Sequence, residues 1–167
     1  MKAVVVYESL WGNTAAIARA IAQGIGPEAQ ALSTGQASAE AIAGADLIVA
    51  GAPVIAFSLP TESVRKSIGQ DPKHAQRPPD LSQPSMGSWL AALPKGSGRA
   101  AAFETRLWWS LGSATGAIAK GLQRAGYRRI TKDQRFIVKG TYGPLRDGEL
   151  DRAGAWGAEL ARLCEAG

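Results

Sequence analysis

The sequence predicts an α/β fold, a parallel sheet with helices packed on both of its faces. Three observations lead there. The chain opens on the run Val4-Val5-Val6, β-branched and without polar alternation, as in a strand covered on both sides. Segments with strand and helix character then alternate to the C-terminus without internal repeats, an order that implies parallel pairing. Finally, the first strand passes through a turn of only a few residues into a helix, as in a βα unit.

Taken in order, strands are predicted near residues 2–7, 29–33, 46–51, 99–104 and 135–139. Helices are predicted near 13–24, 38–43, 61–69, 85–93, 113–125 and 147–164. The first helix places Thr14, Ile17, Ala18, Ile21 and Ile25 on one stripe, and Gly24, Gly26 and Pro27 end it. Between residues 69 and 98 the regularity breaks: Gln70-Asp71-Pro72-Lys73-His74-Ala75-Gln76-Arg77-Pro78-Pro79-Asp80 reads as a polar, proline-rich surface excursion. Ser88-Trp89-Leu90-Ala91-Ala92-Leu93-Pro94 then offers a short apolar turn that packs back on the domain. His74, the one histidine, reads as a solvated residue of the excursion with no proton-transfer role.

With 167 residues and 46% hydrophobic content, the chain suits a single domain over 1–167. No stretch approaches the roughly 20 apolar residues of a membrane span, and the N-terminus lacks signal-peptide features, so a cytoplasmic protein is expected. The single Cys164 forms no internal disulfide or metal pair and reads as a packing residue of the last helix.

The chemistry concentrates where the first strand ends. Glu8-Ser9-Leu10-Trp11-Gly12-Asn13-Thr14 places hydroxyl, amide and glycine groups on a strand-to-helix turn, where backbone N–H groups and the helix dipole favour an anion. A Gly-x-x-x-x-Gly-Lys-Ser/Thr loop is absent, which removes the phosphate-reaching lysine of a nucleoside triphosphatase. A Gly-x-Gly-x-x-Gly fingerprint does not follow the strand either, since Gly24-Ile25-Gly26 falls at a helix end. A receiver domain would need clustered aspartates at its strand ends, where this chain has Glu8 and Pro53. A phosphate monoester held by neutral donors fits what remains.

Ser9-Leu10-Trp11-Gly12-Asn13-Thr14 resembles the flavodoxin phosphate loop, Ser/Thr-x-x-Gly-x-Thr. Ala45-Asp46-Leu47-Ile48-Val49-Ala50-Gly51-Ala52-Pro53 resembles the third flavodoxin strand and its flavin loop, and Ala100-Ala101-Ala102-Phe103-Glu104-Thr105-Arg106 the fourth strand and the loop after it. Gly112-Ser113-Ala114 and Phe136-Ile137-Val138-Lys139-Gly140-Thr141 complete the set in order over nearly the whole chain. The resemblance implies a flavodoxin-like three-layer sandwich with a five-stranded sheet of order 2-1-3-4-5 and a ligand at the switch point outside strands one and three. It implies FMN as cofactor, with a deazaflavin as the alternative ligand. The residues it assigns to cofactor binding are Ser9, Leu10, Trp11, Gly12, Asn13 and Thr14 at the phosphate, then Ala52, Pro53, Val54, Ile55, Ala56 and Phe57, then Thr105, Arg106, Leu107, Trp108 and Trp109 around the ring. Phe57 and the Trp108-Trp109 pair supply its aromatic walls.

Two departures shape the functional expectation. Flavodoxins are typically acidic, whereas 19 Lys and Arg here face 14 Asp and Glu; Arg124, Arg128, Arg129, Lys132 and Arg135 contribute to a positive field over the C-terminal two-thirds. Such a field suits an acidic partner; no aromatic-interleaved basic motif points to nucleic acid. In addition, Pro53-Val54-Ile55-Ala56-Phe57-Ser58-Leu59-Pro60 lacks the glycine whose peptide flip, in many flavodoxins, stabilises the semiquinone. The leading expectation is an FMN-binding electron-transfer protein passing electrons to a redox partner protein or a small-molecule acceptor. One alternative is an FMN-dependent reductase or oxidase of a small quinone-like or porphyrin-like substrate; another is a cofactor-free interaction module acting through its basic surface. No side chain stands out as an acid, base, nucleophile or metal ligand.

Overall fold

The computed structural model describes residues Met1–Gly167. Its sheet contains β1 (Ala3–Tyr7), β2 (Gln30–Ser33), β3 (Leu47–Pro53), β4 (Arg99–Leu107), β5 (Arg128–Arg129) and β6 (Gln134–Val138), all in parallel pairs. The order is β2-β1-β3-β4-β5, with β6 also on β4. The strand predicted near 135–139 is β6, which pairs with the end of β4 (Phe103 opposite Gln134 through Leu107 opposite Val138); the two-residue β5, absent from the five strands predicted, pairs with its start (Arg99 opposite Arg128). Strands three and four also run further than predicted, so that Ala52, Pro53, Thr105, Arg106 and Leu107 lie on strands and not on loops.

Successive residues of β1, β3 and β4 face opposite sides, and each side builds its own core. On one, Val4, Val6, Ile48, Ala50 and Ala102 pack against Met86 and Trp89 of α4 (Met86–Ala92) and Ile118 and Leu122 of α5 (Thr115–Arg124). On the other, Val5, Leu47, Val49, Ala101 and Phe103 pack against Ile17, Ala18 and Ile21 of α1 (Asn13–Ile25) and Trp156 and Leu160 of α6 (Glu149–Glu165). The helices α1 and α6 touch backbone to backbone: a Cβ at Gly24 would overlap the Gly154 carbonyl, and one at Gly157 the Ile21 carbonyl. Cys164 is buried in this second core, as expected of a packing residue. The short α2 (Ala39–Ile42) and α3 (Glu62–Gln70) complete the helical layers.

The excursion is not a solvated loop throughout. Asp71 caps a 3-10 turn over Pro72–His74, and the chain then returns along the first βα turn, where the Asp80 N–H donates to the Leu10 carbonyl at 2.8 Å. Its position is set by a buried ion pair. Arg65 Nη1 of α3 donates to Glu8 Oε2 at 2.5 Å, Met86 N–H donates to Glu8 Oε1 at 2.8 Å, and Arg65 Nη2 donates to the carbonyls of Leu81 and Gln83. Both partners are almost fully buried. Breaking such a pair from one side leaves a charge without water or a partner, so Arg65→Met is expected to destabilise the fold by about 3–5 kcal/mol, while Glu8→Met combined with Arg65→Met costs less than that single change. Urea unfolding of the three proteins checks both values.

Candidate functional site

At the carboxyl end of β1 the chain turns through Glu8-Ser9-Leu10-Trp11-Gly12 into α1. Gly12 has φ 93°, a conformation that glycine adopts without steric cost, and its N–H donates to Ser9 Oγ at 3.1 Å. Side-chain caps close α2 (Ser38), α3 (Thr61) and α4 (Ser85), whereas α1 starts on Gly12 with no side-chain cap. The first-turn N–H groups of α1 therefore have no acceptor within their own helix and point at the turn. Beside them, Thr14 Oγ1 and Thr105 Oγ1 of β4 lie 2.8 Å apart and buried. Two hydroxyls sharing one hydrogen bond retain one O–H to donate outward.

From this end a cavity of about 350 Å³ runs between the loops that follow β3, β4 and β6, a volume within the range of small-molecule sites. Of the residues assigned from sequence, Ser9, Leu10, Trp11, Asn13, Thr14, Pro53, Val54, Ile55, Ala56, Phe57, Thr105, Arg106, Leu107 and Trp109 line it. Gly12 shapes the turn, Ala52 lies in the core below, and Trp108 lies outside the lining with 76% of its surface exposed. Phe57, Trp109 and Leu111 are also largely exposed, so the tryptophan pair forms an apolar rim and is not folded into the core.

The walls are held by a strained turn and a second buried carboxylate. Ile55 and Ser58 exchange backbone hydrogen bonds (3.0 and 3.2 Å) across Ala56 and Phe57, whose φ values of 49° and 69° mark a type I′ hairpin turn built without glycine or asparagine. The Ser113 N–H donates to the Phe57 carbonyl at 3.1 Å, and Gly112 fits against that carbonyl only because it lacks a Cβ. Arg106, assigned from sequence to the ligand, instead turns its guanidinium onto Glu104 Oε1 (2.8 Å) and the carbonyls of Gly112 (3.0 Å) and Ser110. Glu104, fully buried, accepts from the Ser113 hydroxyl and from Ala114 N–H and Thr115 N–H at the start of α5. Burial alone would raise its carboxyl, but the Arg106 guanidinium and these donors outweigh burial and hold it below its ordinary 4.5.

Several lining residues were not assigned to the ligand from sequence: Ile68, Lys73, His74, Ser110, Leu111, Val138, Gly140 and Thr141. The expectation for His74 is corrected. It is 6% exposed, with Nδ1 at 2.7 Å from Tyr142 Oη, and Trp11, His74 and Tyr142 form a ring cluster with centroids 5.1–5.6 Å apart. The excursion folds His74 inward because Trp11 Nε1 donates to the Arg77 carbonyl at 2.9 Å. No sequence spacing links residues 11, 74 and 142.

No protein-family model and no curated protein sequence matches the chain. Solved structures do. A flavodoxin from the domain Archaea superposes with a TM-score of 0.68 at 23% identity over 99% of both chains. Oxidised Flavodoxin 1 from Bacillus cereus gives 0.65 at 17% identity, over 97% of this chain and 98% of that one. The flavodoxin, WrbA-like protein from Agrobacterium tumefaciens gives 0.60 at 19%, over 98% and 97%. The fold is flavodoxin-like.

Two predictions follow from the walls. A carboxyl held below its ordinary value contributes stability that is complete above that value and is lost as pH falls through the folded one. Replacing Glu104 by Gln is therefore expected to open a stability gap that is widest above pH 4.5 and closes in more acid solution, read from urea melts across pH. At Ala56, relief of about 1–2 kcal/mol of left-handed strain exceeds the roughly 0.4–1 kcal/mol of chain entropy that glycine adds to the unfolded state. Ala56→Gly should raise the urea midpoint.

Proposed function

We propose that the cavity binds FMN and that the protein is a flavin-dependent redox protein. The observation that carries this reading is the pairing of two unlike ends in one cavity. One end is the uncapped α1 N-terminus with Ser9, Thr14 and Thr105 hydroxyls beside it; the other is an apolar slot bordered by Ile55, Phe57, Leu107 and Trp109. A phosphate monoester matches the first and a flat aromatic ring the second. When bound, FMN supplies the redox chemistry. The chain's own part is to hold the phosphate with neutral donors, to border the ring with apolar surface that excludes water, and to present backbone groups of residues 53–57 and 105–107 to its polar edge. No chain carboxylate faces the phosphate within the lining, so the loop carries no opposing charge.

Among redox functions, transfer of electron pairs to a small organic acceptor is favoured by the 55–58 turn. With the Phe57 carbonyl held by Ser113 and Gly112 packed against it, a backbone rearrangement beside the ligand is opposed by those contacts as well as by the side chains of Ala56 and Phe57. The exposed rim of Phe57, Trp109 and Leu111 offers an apolar approach for such an acceptor, and the positive charge of the C-terminal two-thirds suits an acidic one.

The test is a titration of the purified protein with FMN and riboflavin, followed by flavin absorbance and tryptophan emission. FMN is expected to bind more tightly than riboflavin and to quench tryptophan strongly through Trp109. Thr14→Ala removes a hydrogen bond to a charged group, worth about 1.5–3 kcal/mol, and should weaken FMN roughly ten- to hundredfold with a far smaller change for riboflavin. A protein that leaves both flavins unbound defeats the reading in favour of a cofactor-free module.

A further inference from the structure

We infer that His74 is a ligand-binding residue, donating a hydrogen bond from Nε2 to the phosphate of the bound molecule, and that the excursion around residues 70–80 thereby forms part of the site. This rests on the FMN reading for the identity of the ligand. It does not rest on it for the chemistry of the group bound.

Three observations support it. His74 is more than nine-tenths buried, yet it lines the cavity together with Ser9, Trp11, Asn13 and Thr14. Its ring is fixed on three sides, by Trp11, by Tyr142 and by the 3-10 turn that ends on it. Of its two nitrogens only Nδ1 has a partner in the chain, the Tyr142 hydroxyl, while Nε2 meets none. Nε2 is not sealed in the core, so it keeps accessible surface through which an atom of the cavity's occupant can reach it.

The hydrogen bonding also determines what Nε2 presents. Tyr142 has one hydroxyl proton and two acceptors in reach, His74 Nδ1 at 2.7 Å and the Lys73 carbonyl at 3.3 Å. If that proton goes to the Lys73 carbonyl, the neutral ring donates from Nδ1 and Nε2 accepts; if it goes to Nδ1 along the shorter contact, Nε2 carries the ring's proton. A phosphate oxygen at Nε2 selects the second arrangement, and the protonated ring donates from Nε2 in either. His74 lines the cavity with the Ser9–Thr14 turn, which contributes neutral groups. Beside this turn the cavity is closed by Trp11, tied to the Arg77 carbonyl, and by the 140–143 turn, whose Gly143 lies against the Asn13 side chain. His74 therefore adds an imidazole donor to a loop that otherwise relies on hydroxyls and backbone N–H groups.

The experiment compares wild type with His74→Leu, His74→Gln and Tyr142→Phe, using FMN, riboflavin and inorganic phosphate as probes. His74→Leu is expected to weaken FMN about tenfold while riboflavin changes less than about twofold; His74→Gln, which keeps a donor, should recover part of the loss. Tyr142→Phe, the mildest change to the packing, is expected to lose affinity in the same sense and to a smaller extent. Unchanged FMN affinity in His74→Leu overturns the inference, and so do equal losses for FMN and riboflavin, which would assign His74 to the shape of the cavity. If wild type binds no flavin, the FMN reading fails on its own and inorganic phosphate decides for His74. A rise in melting temperature with phosphate that His74→Leu abolishes sustains its role, and the same rise in both proteins, or in neither, removes it.

Discussion

A carboxylate and a guanidinium, both nearly free of water, meet at the carboxyl end of β1, and the surroundings of the cavity are positioned from that meeting. Glu8 directly precedes the Ser9–Thr14 turn, and Arg65 reaches it from α3 while also taking the carbonyls of Leu81 and Gln83. Through Met86 N–H the same carboxylate fixes the start of α4. Apolar side chains of equal volume could hold these elements as tightly, but burial of apolar area has no direction, whereas a hydrogen-bonded ion pair specifies angles and register. Three segments far apart in sequence are thereby brought to one orientation, and the excursion is carried over Trp11.

Glu104 does for the other side of the cavity what Glu8 does for the first. It caps α5 through Ala114 and Thr115 and holds Arg106, which in turn holds the 110–112 segment. That segment presses on the Phe57 carbonyl, so a conformation of Ala56 and Phe57 that costs about 1–2 kcal/mol per residue persists because its surroundings over-determine it. The two carboxylates are buried in the same manner and differ in balance: for Glu104 the donors outweigh burial, whereas for Glu8 burial outweighs the Met86 N–H and Arg65 and raises the carboxyl.

The strands, most helix positions and the Ser9–Thr14 turn were legible because each depends on residues close in sequence: β-branched runs, a three- and four-residue apolar stripe, a glycine where the backbone needs φ 93°. What sequence did not reveal depends on how the loops close on one another. Arg106 sits where a ligand residue is expected, and its guanidinium is taken up by Glu104 two residues before it and by the carbonyls of Ser110 and Gly112 in the loop that follows. His74 lies among prolines and polar residues that suggest solvent, and is drawn inward by Trp11 and Tyr142, more than 60 residues away on either side. The positive φ values at Ala56 and Phe57 contradict their local preference and are imposed from Gly112 and Ser113. The unpredicted β5 is separated from β6 by the interruption at 130–133, where Ile130 N–H still reaches the Ala100 carbonyl at 3.0 Å before the chain leaves the sheet.

That interruption also shapes the border of the sheet. A parallel sheet ends in two open borders, and an unbroken border is a template on which another chain can add a strand. Here one border is the four-residue β2, and the other is split into a two-residue piece carrying Arg128 and Arg129, both exposed, and a separate piece beginning at Gln134. No continuous row of free N–H and C=O groups of useful length remains, and an incoming strand would have to approach two guanidinium groups on a chain of net charge +5. The interruption that looks like a defect in the sheet thus shortens the border open to strand addition.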